Sequence, residues 1–105
     1  MRTLVIVFSL AATAATAIQA ADPKAGQAVY AKSCKSCHGP NGAGNPAIAK
    51  MFKVEMRDLK STDVQAMSDA DLKKVITEGK GKMKPVASVT GAAADDVVAY
   101  LRSLK

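Results

Sequence analysis

The chain has no tryptophan, a single histidine and only two cysteines among its 105 residues. A structural zinc site takes four ligands, mostly from Cys and His, so these three residues cannot close one. Two cysteines can form at most one disulfide. Aromatic residues are 4% of the chain, and after residue 20 the only rings are Tyr30, Phe52 and Tyr100. A single-strand nucleic-acid surface needs stacking rings interleaved with its cations, and this sequence does not supply them. No apolar run reaches the ~20 residues of a membrane span. The apolar and small-residue run Leu4 to Ala17 carries no charge, but it is short and rich in Ala and Thr. From Asp22 onward nothing alternates as a half-buried strand does, so the fold expected is all-α.

That front stretch has a different meaning. Met1 and Arg2 give a positive start, an apolar segment follows, and Ile18-Gln19-Ala20 offers a small residue before the polar Asp22-Pro23-Lys24. The order is that of a secretory signal peptide, expected over residues 1–20, with residues 21–105 as one exported domain. No stable membrane insertion is expected after cleavage, and the location implied is periplasmic. Losing residues 1–20 removes Arg2 and no acid, so the formal net charge falls from +6 to +5. A small basic protein is steered toward acidic surfaces. With about 85 residues left, the apolar core is small, and domains of this size often need a covalent or metal staple.

Cys34-Lys35-Ser36-Cys37-His38 supplies a candidate. C-x-x-C-H is the attachment signature of a c-type haem. Positions i, i+3 and i+4 share one face of a helical turn, so two thiols and an imidazole can meet one porphyrin. Cys34 and Cys37 can each add to a vinyl group, and His38 can ligate the iron. A redox dithiol also uses C-x-x-C, but in a βαβ setting that this sequence lacks. The carbonyl near Pro46 is the candidate acceptor for the second N–H of His38, since ligating imidazoles commonly donate one.

Helix signals surround the motif. Asp22 before Pro23 reads as a cap and first residue, with the helix running to about Ser33. Gly39 to Pro46 is dense in breakers and reads as loop. Ser61 or Thr62 opens a short helix through Met67. Ser68-Asp69-Ala70-Asp71 resembles a capping box ahead of Leu72, Val75 and Ile76, and Gly79 ends that helix. Thr90 is the cap expected for a closing helix with Val97, Val98, Leu101 and Leu104 on its apolar face. Between the last two lies Gly79-Lys80-Gly81-Lys82-Met83-Lys84-Pro85, a loop around one methionine. A second axial ligand decides whether haem iron stays closed to external ligands. Met83 is the candidate, because its polar loop is a poor place for a core methionine. Met51, Met56 and Met67, among apolar neighbours, read as gap-filling residues.

Taken together, these residues resemble a class I c-type cytochrome over essentially the whole exported segment. The resemblance rests on Cys34 to His38, on the 79–83 methionine loop, and on Gly26 and Tyr30 facing Val97 and Tyr100 as a crossed pair of terminal helices. It implies the cytochrome c fold: three to four helices around one covalent haem c, held by Cys34 and Cys37 and ligated by His38 and Met83. It further implies a monomeric, soluble electron carrier with no catalytic residues. The partners implied are redox proteins with acidic docking surfaces, reached through Lys32, Lys35, Lys50, Lys53, Lys80, Lys82 and Lys84. A haem enzyme or gas-binding protein with an open sixth site, or a subunit of a larger respiratory complex, are the other readings. The sequence departs from the family in placing Lys84 between Met83 and Pro85. It also has no Trp or Tyr in mid-chain for a haem propionate, where Arg57 is the substitute by charge.

Overall fold

The computed structural model describes residues 21–104, so the leader expected over residues 1–20 lies outside the described residues. Six helices follow in order: α1 (Pro23–Ser33), α2 (Lys35–His38), α3 (Pro46–Phe52), α4 (Thr62–Gln65), α5 (Asp69–Glu78) and α6 (Gly91–Ser103). Three are long and three are single turns or little more. Among the described residues there is no strand, only an isolated bridge between Lys80 and Met83.

Most helix starts follow their capping residues. Asp22 accepts from the Lys24 amide at 2.9 Å with Pro23 first in the helix. Ser68 accepts from Asp71 at 3.1 Å, the forward half of a capping box. Ser61 caps α4, which stops at Gln65, two residues short of Met67. Thr90 departs from expectation, since it precedes α6 but its side chain makes no cap hydrogen bond.

α1 crosses α6, and Gly26 sets how closely. A Cβ at Gly26 would run into the Asp96 carbonyl oxygen and come within 2.9 Å of the Val97 amide nitrogen. Only hydrogen fits there, so the two backbones can touch. The Tyr30 and Tyr100 rings meet one turn further on, with centroids 5.2 Å apart and planes tilted by 57°. Asp96 also ties the start of α1 to α6, its carboxylate accepting from the Asp22 amide at 2.8 Å. Behind this crossing α5 buries Leu72 and Ile76 against Val97, Val98 and Leu101.

A polar seam closes the other side. Arg102 of α6, a quarter exposed, donates to the carbonyls of Gln65 and Met67 and pairs with Asp69 at 2.8 Å. The Gln65 amide in turn donates to the carbonyls of Leu59 and Leu101. These bonds pin the α4–α5 connection to the closing helix. Arg57, in contrast, pairs with Asp63 at 3.6 Å on an exposed face, which is the solvated arrangement.

Candidate haem site

α1 ends where Cys34 leaves helical geometry, at φ −121°, and α2 restarts at Lys35. Cys34 therefore caps both. Its amide donates to Tyr30 at 2.9 Å, and its carbonyl accepts from Cys37 at 3.2 Å and His38 at 3.0 Å. The last bond closes one helical turn from Cys34 to His38, the backbone geometry that the spacing requires. Both cysteines are free and partly buried.

The electrostatics of the motif separate the competing readings. Burial, then the neighbouring Cys37, pushes the Cys34 thiol above its ordinary pKa. A redox-active C-x-x-C depends on a thiol shifted the other way. Burial lowers the pKa of His38, which favours the neutral imidazole a metal ligand must be. Among the described residues no three His, Cys, Asp or Glu side chains converge on a point as a bare metal ion needs. Two thiols and an imidazole along one turn suit the edge and centre of a flat macrocycle instead. The donor set fits haem c, which Cys34 and Cys37 would attach and His38 would ligate.

The His38 ring has one further feature. Its Nδ1 is buried with no hydrogen-bond partner. The Pro46 carbonyl does not fill the role expected of it. Pro46 is the first residue of α3, where a carbonyl points into the helix ladder. With Nδ1 enclosed by protein, Nε2 is the nitrogen that would be open to a metal.

Backbone bonds hold the loop after His38. Gly44 donates to the His38 carbonyl at 2.7 Å and Asn45 to the Cys37 carbonyl at 2.8 Å. The Asn45 side chain reaches the Ser36 carbonyl at 3.1 Å and also caps α3 through the Ala47 amide. The Tyr30 hydroxyl donates to the Gly39 carbonyl at 2.6 Å. Sequence reasoning missed Asn45 and the Tyr30 hydroxyl; the Asn-Pro pair at a helix start was the available signal for Asn45.

Met83 comes from a separate loop. Lys80 and Met83 exchange backbone hydrogen bonds of 2.9 and 3.0 Å around Gly81-Lys82, a closed two-residue turn. Gly79 has φ +80°, and a Cβ there would meet the Met83 carbonyl at 2.5 Å and Pro85 Cδ at 2.9 Å. Pro85, displaced one place by Lys84, thus packs over Gly79 and closes the loop base. The Val86 amide fastens the far end to α5 through Ile76 at 2.9 Å. Met83 is partly buried while Lys80, Lys82 and Lys84 are exposed. Of the rival methionines, Met67 packs against the core and Met56 lies against Gly44. Met51 does not fill a gap: at the end of short α3 it is 65% exposed.

Comparison with known proteins agrees with this reading. A family model described as cytochrome c oxidase, cbb3-type, subunit III matches residues 21–101. A solved structure described as the KustC0563 c-type cytochrome superposes with a TM-score of 0.65 at 25% identity, covering 76% of this chain and 96% of that one. No curated protein matches the chain. The match over nearly all the described residues, with the attachment turn inside it, shows that the chain belongs to this cytochrome family and is a class I c-type cytochrome, an electron carrier that binds haem c covalently.

Proposed function

We propose that the exported chain is a soluble periplasmic electron carrier holding one haem c, with His38 and Met83 as the axial ligands. The observation that carries this is the presence of two hydrogen-bonded backbone features. Cys34, Cys37 and His38 share one closed turn, and the backbone presents Met83 from a hydrogen-bonded loop of its own. Haem, when bound, supplies one-electron exchange between ferric and ferrous iron, and a thioether ligand favours the ferrous state. The chain's residues hold the group, keep water and external ligands from the iron, and dock the partner.

Lysines supply the docking charge. Lys32 and Lys35 line an open surface cavity of about 500 Å³ beside the attachment turn. Lys50 and Lys53 bracket Met51 and Phe52, which are 65% and 42% exposed. An apolar contact within a cationic rim suits a redox partner with an acidic docking face. Electron transfer with that partner slows as ionic strength rises; a rate indifferent to salt contradicts the docking reading.

Replacement of Met83 by Ala tests the ligation. The variant loses the weak sulfur-to-ferric-iron absorbance, has a lower reduction potential and binds carbon monoxide rapidly in the ferrous form. If the native protein already binds carbon monoxide rapidly, the sixth site is open and a gas-binding or catalytic role replaces this one. The family description favours one other reading, a redox subunit working inside a larger respiratory complex. Gel filtration of native extract separates the two, since a free carrier elutes as a monomer.

A further inference from the structure

The attachment turn α2 has four residues, and a helix that short does not hold itself. The carbonyls at a helix end need donors from outside it, and here each of the four carbonyls of α2 has one. The Gly39 amide donates to Lys35 at 2.8 Å, the Asn45 amide to Cys37 at 2.8 Å and the Gly44 amide to His38 at 2.7 Å. The Ser36 carbonyl takes the side-chain Nδ2 of Asn45 at 3.1 Å. Asn45 therefore supplies two of the four donors, one from its backbone and one from its side chain. The Oδ1 of the same side chain accepts from the Ala47 amide at 3.1 Å and caps α3.

This double duty selects the residue type. Asp and Ser cap a helix about as well as Asn, but an ionised carboxylate has no donor, and a single hydroxyl is one atom where two partners on opposite sides need two. No residue of α3 is buried, so the bonds at its start carry much of the task of joining it to the turn. We propose that Asn45 is a positioning residue of the haem site: its side-chain amide locks the attachment turn to α3 and so fixes how Cys34 and Cys37 seat the porphyrin. This rests on the haem reading above and adds to it what keeps the turn in shape.

The test is Asn45→Ser in the haem-loaded protein, which keeps a capping oxygen, adds no charge and removes the donor to Ser36. Ser68→Ala, a lost cap on α5, is the matched loss of a hydrogen bond in another helix. N45S lowers the reduction potential, because a loosened turn admits water to the haem edge. The ferric-to-ferrous ratio at the wild-type midpoint rises roughly threefold, the equivalent of part of one hydrogen bond. The haem methyl proton resonances of the ferric form, which report how the porphyrin sits against its ligands, also shift. S68A leaves both unchanged. An N45S protein that melts lower but keeps potential and methyl resonances overturns the proposal, as does an S68A shift of equal size. If N45S yields no holoprotein, the wild type decides. Its Asn45 side-chain amide protons give nuclear Overhauser contacts to Ser36 and Cys37, and their absence overturns the proposal. A colourless wild type would sink the haem reading itself, whereas a coloured N45S with native potential sinks only this inference.

Discussion

The crossing of α1 with α6 and the segments that carry the haem ligands are built on different terms. The crossing is complete in itself: Gly26 lets the backbones touch, the tyrosine rings fill the next turn, and Asp96 takes up the Asp22 amide. The ligand segments are complete only in their backbones. Their backbones are hydrogen-bonded at 2.7–3.4 Å, yet two thiols are unbonded and one imidazole nitrogen is buried without a partner, while Met51 and Phe52 nearby in the chain are exposed. The frame is satisfied in its contacts but small, so the group bound at the open site becomes part of the core that both regions need.

The largest effect expected starts in the second region and spreads to the first. Replacing both Cys34 and Cys37 by Ser removes covalent attachment and leaves the chain largely unfolded, because a domain this small relies on its staple. Circular dichroism checks this, and a cooperative melt with native helix content would show that the crossing suffices without haem. Attacking the first region instead, Gly26→Val drives a branched side chain into the Asp96 carbonyl and costs about 3 kcal/mol or more in denaturant unfolding of the holoprotein.

Smaller changes sharpen the contrast. Arg102→Met strips charged donors from the Gln65 and Met67 carbonyls and costs about 2 kcal/mol, with little change in reduction potential, since the seam lies outside the ligand segments. Alkali probes Tyr30, whose hydroxyl burial pushes from the ordinary pKa of 10.0 up to about 12. The unfolded chain loses that proton first, so the contribution is full below pH 10 and is lost as the pH rises toward 12. Denaturant titrations across this range show a fall that Y30F lacks in part; identical slopes would contradict the shift. Last, Ser68→Ala costs about 1 kcal/mol through the lost cap. Thr90→Ala, with no cap bond to lose, stays within about 0.5 kcal/mol.

How far the sequence spoke follows the same division. Covalent spacing and helix periodicity are local, so the attachment turn, the α1 and α5 caps and the glycine contact of the crossing were all legible. Signals that depend on distant partners were not. Arg102 is an ordinary helix residue until Gln65, Met67 and Asp69 arrive from the other side of the chain. Tyr30 was legible as a packing ring, while its hydroxyl's partner depends on how the breaker-rich loop folds back. Thr90 shows the reverse: a capping residue in the right place whose side chain makes no cap. Arg57, which charge alone left divided between a propionate and solvent, meets Asp63 on an exposed face.

The central claim is that Cys34 and Cys37 hold haem covalently, and the most direct measurement is the pyridine haemochrome spectrum of the exported protein after denaturation and acid–acetone extraction. Colour stays with the polypeptide, with the spectrum of a haem bonded through two thioethers and neither cysteine open to alkylation. Colour that washes out, or a colourless chain in which both thiols alkylate, would contradict it.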